Sequence, residues 1–240
     1  TRLTCDWSSD VCSSDLSLSV RRGEILGIGG LVGAGRSELV EGIFGIHPLS
    51  HGEIRVKGRK VKVSSPQDII KEGVALITED RKVTGLNLSG TVNDNIAMVA
   101  IKKLLTKGLY NKSKAHKASQ EYVEKLKIKT PSVNQIVGNL SGGNQQKTVI
   151  AKWLLNDPDI IILDEPTRGI DVGAKRDIYL LLGNLVQQGK AVIIISSEIP
   201  ELMGICDRLV VMCEGNYSGE VQRGEFSQER IMALASAIKV

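Results

Sequence analysis

Short apolar runs rich in Val, Ile and Leu alternate with helix-period segments from Gly23 onward. The apolar runs predict strands at 24–29, 53–56, 74–77, 160–164, 191–196 and 208–212. The helix-period segments predict helices at 36–44, 65–71, 174–188, 198–204 and 227–237. Strands that alternate with helices are typical of an α/β domain with a largely parallel sheet, which we predict over residues 17–240.

Strand alternation stops between Thr91 and Asn156. The Lys-rich amphipathic segment 113–127 and the segment after Gly143 both predict helices there. We therefore expect an inserted helical subdomain at about 91–156.

Residues 1–16 are dense in Ser, Asp and Cys and show neither helical nor strand periodicity. No packed element is predicted there. The stretch 6–16 resembles translated sequencing-adapter DNA, so we expect this segment to be non-native or disordered and the true start of the protein to be missing.

Composition excludes several classes of protein. The formal charge is only +4, and Lys and Arg are dispersed except around 102–127, which we interpret as a solvated helical face, so the charge argues against nucleic-acid binding. No apolar run approaches the roughly 20 residues that span a bilayer. The four cysteines show neither paired CxxC spacing nor a nearby His cluster, so we expect reduced thiols rather than a zinc site.

A glycine-rich segment between the first predicted strand and helix has the spacing of a phosphate-binding loop: Gly, four residues, Gly, a basic residue, Ser. It reads Gly30-Leu31-Val32-Gly33-Ala34-Gly35-Arg36-Ser37. Its backbone N–H groups and the following helix start favour phosphate, and the Ser37 hydroxyl suits Mg²⁺. The alternative is a strand-to-helix turn that binds no ligand.

Two residues depart from the usual loop. Arg36 replaces Lys, and Glu38 stands where Thr is common. A planar guanidinium cannot fit between phosphates as a compact ammonium does, and Glu38 brings negative charge towards them. We expect poorer positioning for phosphoryl transfer.

An apolar strand ends in two carboxylates, Asp164 and Glu165. A buried parallel strand that ends so faces a ligand crevice. Asp164 would hold Mg²⁺ and Glu165 would polarise the attacking water. The alternative is a solvated acidic pair at a strand end.

A Gly-rich signature precedes a predicted helix, with Ser141 at a plausible N-cap: Leu140-Ser141-Gly142-Gly143-Asn144-Gln145-Gln146. Alone it could be an ordinary helix start. Signature, helix and acidic strand in this order, with the loop and Asp164-Glu165-Pro166-Thr167-Arg168-Gly169-Ile170-Asp171, resemble the ABC ATPase family. Over about 16–237 the chain is most similar to the C-terminal ATPase half of tandem ATPases that energise bacterial importers of ribose, galactose, arabinose and xylose.

The resemblance implies a P-loop NTPase (RecA-like) core with a small antiparallel β part, and ATP and Mg²⁺ as ligands. It implies that Glu165 is catalytic and that Ser37, Asp164 and Glu79 lie at the metal. The implied nucleotide-binding residues are Gly30, Leu31, Val32, Gly33, Ala34, Gly35, Arg36, Ser37, Glu38, Ser141, Gly142, Gly143, Asn144, Gln145, Asp171 and Ser197.

Two further positions depart from the family pattern. Glu79 stands where a Gln is usual, and Ser197 where a His touches the γ-phosphate; none of the three histidines lies there. Because the family sandwiches each ATP between the loop of one domain and the signature of the other, we predict an asymmetric pair. The domain's own site is weak, its signature completes the partner's site, and Glu165 leaves residual hydrolysis open.

The partners implied are the other ATPase half, transmembrane permease subunits and, indirectly, a periplasmic sugar-binding protein, at the cytoplasmic face of the bacterial inner membrane. Nucleic acid is not among them. A regulatory module that dimerises on ATP without turnover is the alternative. A soluble ABC ATPase acting on ribosomes or DNA is disfavoured, because the sequence shows no basic extension and no long heptad insert.

Overall fold

The computed structural model describes the backbone of residues 3–9, 12–47 and 51–236, and the side chains of 17–47 and 52–236. The chain divides into two compact units. The first comprises residues 1–76, 159–165 and 182–240, and the second comprises 77–158 and 166–181. The predicted subdomain at 91–156 falls inside the wider second unit.

A six-stranded sheet forms the centre of the first unit, in the order β12-β11-β3-β10-β9-β6. The three central pairs are parallel, and β12 is antiparallel to β11. The strands are β3 (Ile25–Gly30), β6 (Val74–Ile77), β9 (Ile160–Asp164), β10 (Ala191–Ile195), β11 (Arg208–Cys213) and β12 (Asn216–Gln222). Every residue of β3, β9, β10 and β11 is buried, as nearly continuous apolar sequences predict for strands covered on both faces; the charged exceptions, Asp164 and Arg208, stand at strand ends.

An antiparallel sheet in the order β2-β1-β4-β5 completes the first unit's strands. Its members are β1 (Leu3–Ser9), β2 (Cys12–Val20), β4 (His51–Val56) and β5 (Arg59–Val61). The prediction that 1–16 contains no element is therefore wrong for 3–9 and 12–16. The sequence of β1 does alternate, because single polar residues separate Leu3, Cys5 and Trp7, and the prediction overlooked this period-two pattern. β1 pairs with β2 and β4. The origin of this segment stays a prediction.

Among the described residues, four α-helices lie wholly in the first unit: α1 (Arg36–Phe44), α2 (Pro66–Lys71), α7 (Ile199–Ile205) and α8 (Gln228–Ala235). A fifth, α6 (Val172–Gln187), belongs to this unit only from Leu182 onward. Helix α1 ends at Gly45, whose φ of 77° lets its N–H and that of Ile46 close the last turn. All five agree with predicted helices to within two residues at each end.

The second unit is mainly helical. It contains α3 (Val92–Ala97), α4 (Lys112–Lys125), α5 (Gly142–Leu154) and the first part of α6, with two short strands, β7 (Leu105–Thr106) and β8 (Leu109–Tyr110). Ala97, Leu104 and Ala115 form a small buried cluster there. Within the described residues, no helix is both long enough and apolar enough to cross a membrane.

Two of the four cysteines have described side chains. Cys206 and Cys213 are buried free thiols, and burial raises the pKa of the Cys206 thiol far above its ordinary value. The side chains of Cys5 and Cys12 lie outside the described residues, so the expectation of reduced thiols stays a prediction for them.

Candidate functional site

The glycine-rich loop joins β3 to α1 in the first unit, as predicted. Gly33 and Gly35 both have φ of 82°, a conformation that glycine adopts without a Cβ penalty. A turn closes from the Ala34 N–H to the Leu31 carbonyl at 3.0 Å. No side chain caps α1, so its first N–H groups and its positive dipole end are open to an anion.

The Arg36 side chain turns inward from the start of α1. It is only 8% exposed, and its Nη1 donates to the Ser196 carbonyl oxygen at 2.8 Å. The same nitrogen lies 3.7 Å from Oε1 of Glu165. The guanidinium is thus bound to the ends of β9 and β10.

Asp164 ends β9 and is 4% exposed. Its carboxylate accepts a hydrogen bond from the Ser37 hydroxyl, whereas its Oδ1 is buried and has no partner among the described residues. Burial is the main reason that the pKa of Asp164 rises to about 6; Glu165 adds to the rise, and the Ser37 hydrogen bond and Arg36 oppose it.

A buried, unpartnered carboxylate oxygen beside a hydroxyl is a donor set that suits a hard cation. A divalent ion would supply the positive charge that this carboxylate lacks. Ser37 and Asp164 therefore fit Mg²⁺.

Glu165 follows directly with φ of 44°, in the left-handed region. Its N–H donates to the Ile195 carbonyl at 3.0 Å, and its Oε1 accepts from the Ser197 N–H at 2.7 Å. The candidate base is thus held by main-chain bonds to the end of β10 and by the charge of Arg36.

Ser197 contributes its main chain to this arrangement, and it is exposed, as is Glu38. The preceding Ser196 is fully buried. Its hydroxyl donates to Glu201 in α7 and accepts from the Glu198 N–H. The turn after β10 is therefore fixed by its own side chains.

In the second unit, the signature starts α5 as predicted, with Ser141 at the N-cap position. The Ser141 side chain caps no N–H of the helix; its hydroxyl accepts from Asn144 at 2.9 Å. The first intrahelical bond runs from the Gln145 N–H to the Ser141 carbonyl. The N–H groups of the first turn, from Gly142 to Asn144, remain available to an anion.

The side chains of Gln145 and Asn144, also in the signature, form hydrogen bonds with the segment before α5. Gln145 is 5% exposed, and its amide donates to the carbonyls of Val137 and Gly138. Asn144 also accepts from the Lys129 N–H. Both side chains hold the segment before α5, a role that the sequence did not predict.

The carboxylates of Glu79 and Asp171 both have partners within the second unit. Glu79 forms an ion pair with Arg168. Asp171 accepts from the Ala174 N–H at 2.9 Å and so starts α6. A Cβ on Gly143 would lie 2.5 Å from the Ala174 Cβ, so the signature packs closely on this helix start.

Sequence reasoning missed Arg81 and Ser196, both of which join distant parts of the chain. Arg81 donates to the main chain of Arg168 and Gly169. Its only sequence signal is its position two residues after Glu79, at which the chain departs from the family pattern.

The chain is similar to curated import ATP-binding proteins. Two curated proteins of Clostridium tetani are similar: a ribose import ATP-binding protein, 50% identical over 93% of this chain, and a galactose/methyl galactoside import ATP-binding protein, 48% identical over 92%. The chain spans 44% of the length of each.

Solved structures share the fold. An ATP-binding cassette of an ABC transporter superposes with a TM-score of 0.81 over 98% of both chains, at 21% identity. A dimeric cassette in a post-hydrolysis state, bound to ADP and Pi, gives 0.77 over 92% of this chain and 98% of that one, also at 21% identity.

The fold is thus that of the ABC ATPases, a P-loop NTPase core with a largely parallel sheet, as predicted. The ABC transporter family itself matches residues 13–168, more than half of the 240. This chain therefore belongs to the ABC transporter family.

Proposed function

We propose that this chain is an ATP-binding and ATP-hydrolysing part of an ABC importer for simple sugars of the ribose and galactose type. It works with a second ATPase half and with permease subunits at the cytoplasmic face of the membrane, and a periplasmic sugar-binding protein delivers the sugar. The observation that carries the proposal is the buried, unpartnered oxygen of Asp164 beside Ser37, behind a phosphate-binding loop. The names of the similar proteins supply the sugar class.

In the chain's own site, the N–H groups of the loop and of the start of α1 bind the nucleotide phosphates. Ser37 and Asp164 hold Mg²⁺, which neutralises phosphate charge. The water that attacks the γ-phosphate donates a hydrogen bond to Glu165, and this bond orients the water. The Ser197 N–H, 2.7 Å from the Glu165 carboxylate, fixes the direction in which that carboxylate points.

This own site turns over slowly. The Arg36 guanidinium donates to the Ser196 carbonyl and lies beside the Glu165 carboxylate. It therefore contacts protein groups and not a phosphate. Ser197 offers no imidazole, and Glu38 adds negative charge at the loop. Each lost preorganised contact costs roughly 10²–10³ in rate.

The signature serves the partner half. The first turn of α5 presents uncapped N–H groups and a positive dipole end, which favour the γ-phosphate of an ATP held by the partner's loop. Packing of Gly143 on Ala174 keeps this turn in place.

The test compares substitutions in the protein assembled with its partner half. Ser141→Ala removes the signature hydroxyl, and we expect ATP turnover to fall about 10²-fold or more. Arg36→Ala is expected to leave most turnover intact. Ser113→Ala, at an exposed position of α4 in the same unit, is the matched control. The reverse ranking of Ser141→Ala and Arg36→Ala would refute the assignment of roles.

One observation favours a second candidate, a regulatory module that dimerises on ATP without turnover. The contact of Arg36 with Glu165 neutralises the only proposed base. If ATP drives association in light scattering while phosphate release stays at background with and without the partner half, this second function holds and the first fails.

A further inference from the structure

The Arg81 guanidinium connects three segments of the second unit. Its Nη1 donates to the Arg168 carbonyl at 2.9 Å, and its Nη2 lies 3.4 Å from the Gly169 carbonyl oxygen. These two main-chain groups belong to the turn that precedes α6. A planar fork reaches two neighbouring carbonyls at once, which an ammonium cannot do.

The start of α5 lies directly against this contact. A Cβ built on Gly142 would be 2.9 Å from Arg81 Nη2 and 3.1 Å from the Gly169 oxygen. A side chain on the first residue of α5 would push the Arg81 guanidinium aside and shift the Gly169 carbonyl. The position of Arg81 and that of the signature's first turn are therefore coupled.

The backbone around Arg81 is itself held firmly. The Asp80 carboxylate accepts from the N–H groups of Lys82 and Val83, and the Thr84 hydroxyl donates to the Asp80 carbonyl. The ion pair between Glu79 and Arg168 makes a second link between the same two segments. Arg81 thus projects from a rigid turn onto the signature.

Stability alone does not explain this arginine. Its buried Nε has no hydrogen-bond partner among the described residues, which costs free energy. Its acceptors, on Arg168 and Gly169, belong to exposed residues, whose carbonyls water can solvate instead. Removing the guanidinium should therefore affect the order of the signature more than global stability.

We propose that Arg81 is a positioning residue for the signature: it clamps the carbonyls of Arg168 and Gly169 against Gly142 and so fixes the first turn of α5. This inference rests on the proposed function, in which that turn meets the γ-phosphate bound by the partner half. Arg81 touches neither nucleotide nor metal in this scheme and acts through Gly142.

Hydrogen exchange on the 240-residue chain without nucleotide tests the clamp itself. In Arg81→Met, exchange of the Gln145 and Ala174 amides should rise about tenfold, because both amides bond within the clamped turns. Lys82→Met, the adjacent exposed cation, is the control and should match the wild type. Equal exchange in Arg81→Met and Lys82→Met overturns the proposal.

Kinetics of the chain assembled with its partner half test the consequence. Arg81→Met should lower kcat about tenfold with little change in KM for ATP, Arg81→Lys should restore part of the loss, and both should unfold at the same urea concentration as Lys82→Met. A fall in stability that accounts for the lost turnover overturns the positioning role. If exchange rises as expected but neither Arg81→Met nor Ser141→Ala changes turnover, the clamp stands and the proposed function fails.

Discussion

Asp164 carries a carboxylate whose charge is disfavoured by burial. Its pKa of about 6 lies above the ordinary 3.8 because burial disfavours the carboxylate. The folded protein therefore binds this proton more tightly than the unfolded chain does. Above pH 6 the ionised Asp164 lowers the free energy of unfolding. This destabilisation decreases as the pH falls from 6 to 3.8, because the folded protein takes up the proton first.

Asp164→Asn should accordingly stabilise the metal-free and nucleotide-free protein at pH 8, by on the order of 2 kcal/mol. The gain should shrink progressively below pH 6. Urea unfolding at several pH values measures it, with Glu38→Gln, which removes an exposed carboxylate in α1, as the control. A gain that is constant from pH 4.5 to 8 would show that charge burial is not its cause.

At the element scale, Gly27 in β3 packs closely against Leu209 of β11 and Cys206, the residue that follows α7. A Cβ on Gly27 would lie 2.3 Å from Leu209 Cδ2 and 2.7 Å from Cys206 Sγ. Gly183 in α6 offers the contrast, since no atom lies within 4 Å of its Cβ position. Both glycines belong to the first unit.

Gly27→Ala should therefore destabilise the protein by about 1–3 kcal/mol through overpacking. Gly183→Ala should stabilise it by about 0.5–1 kcal/mol, because alanine favours the helix. Urea midpoints at constant slope measure both changes. Loss of stability in both variants to the same extent would contradict the packing argument.

The strands and helices that were predicted from the sequence are those with a strong apolar pattern. Missed elements are short or lack that pattern, yet two carried local signals. The capping box of Thr91 and Asp94 marks the start of α3, and the turn Glu214-Gly215, with both φ positive, links β11 to β12. β1 had a short period-two pattern at Leu3, Cys5 and Trp7, but its pairing with β4 joins segments far apart in the chain and had no local signal.

The candidate site also contains parts that the sequence predicts and parts that it does not. The loop, the acidic pair and the signature were predictable because each is a contiguous motif. The contact of Arg36 with Ser196 spans 160 positions, and that of Arg81 with Arg168 spans 87. Such contacts follow from the fold, and no local spacing indicates them.

At the scale of the whole molecule, the proposed roles make turnover a property of an assembly. In the proposed scheme the chain supplies a signature for one site and a slow loop for another. The chain spans less than half the length of its curated relatives. The 240-residue chain alone should therefore hydrolyse ATP at least about 10²-fold more slowly than the chain with its partner half.

Phosphate release measured against added partner half checks this expectation, with a Ser141→Ala chain as the control for the partner's own activity. The rate should saturate at equimolar partner. Undiminished turnover by the chain alone would assign full activity to its own site.

The left-handed backbone of Glu165 has a consequence for substitutions at this position. A non-glycine residue there costs about 1–2 kcal/mol, which Gly would avoid and Asn would reduce. The gain from Glu165→Gly or Glu165→Asn would be offset by loss of the carboxylate contacts with Ser197 and Arg36 at the ends of β9 and β10. The stability effect of a substitution there is the difference between these two terms, whereas any loss of turnover reports on the carboxylate alone.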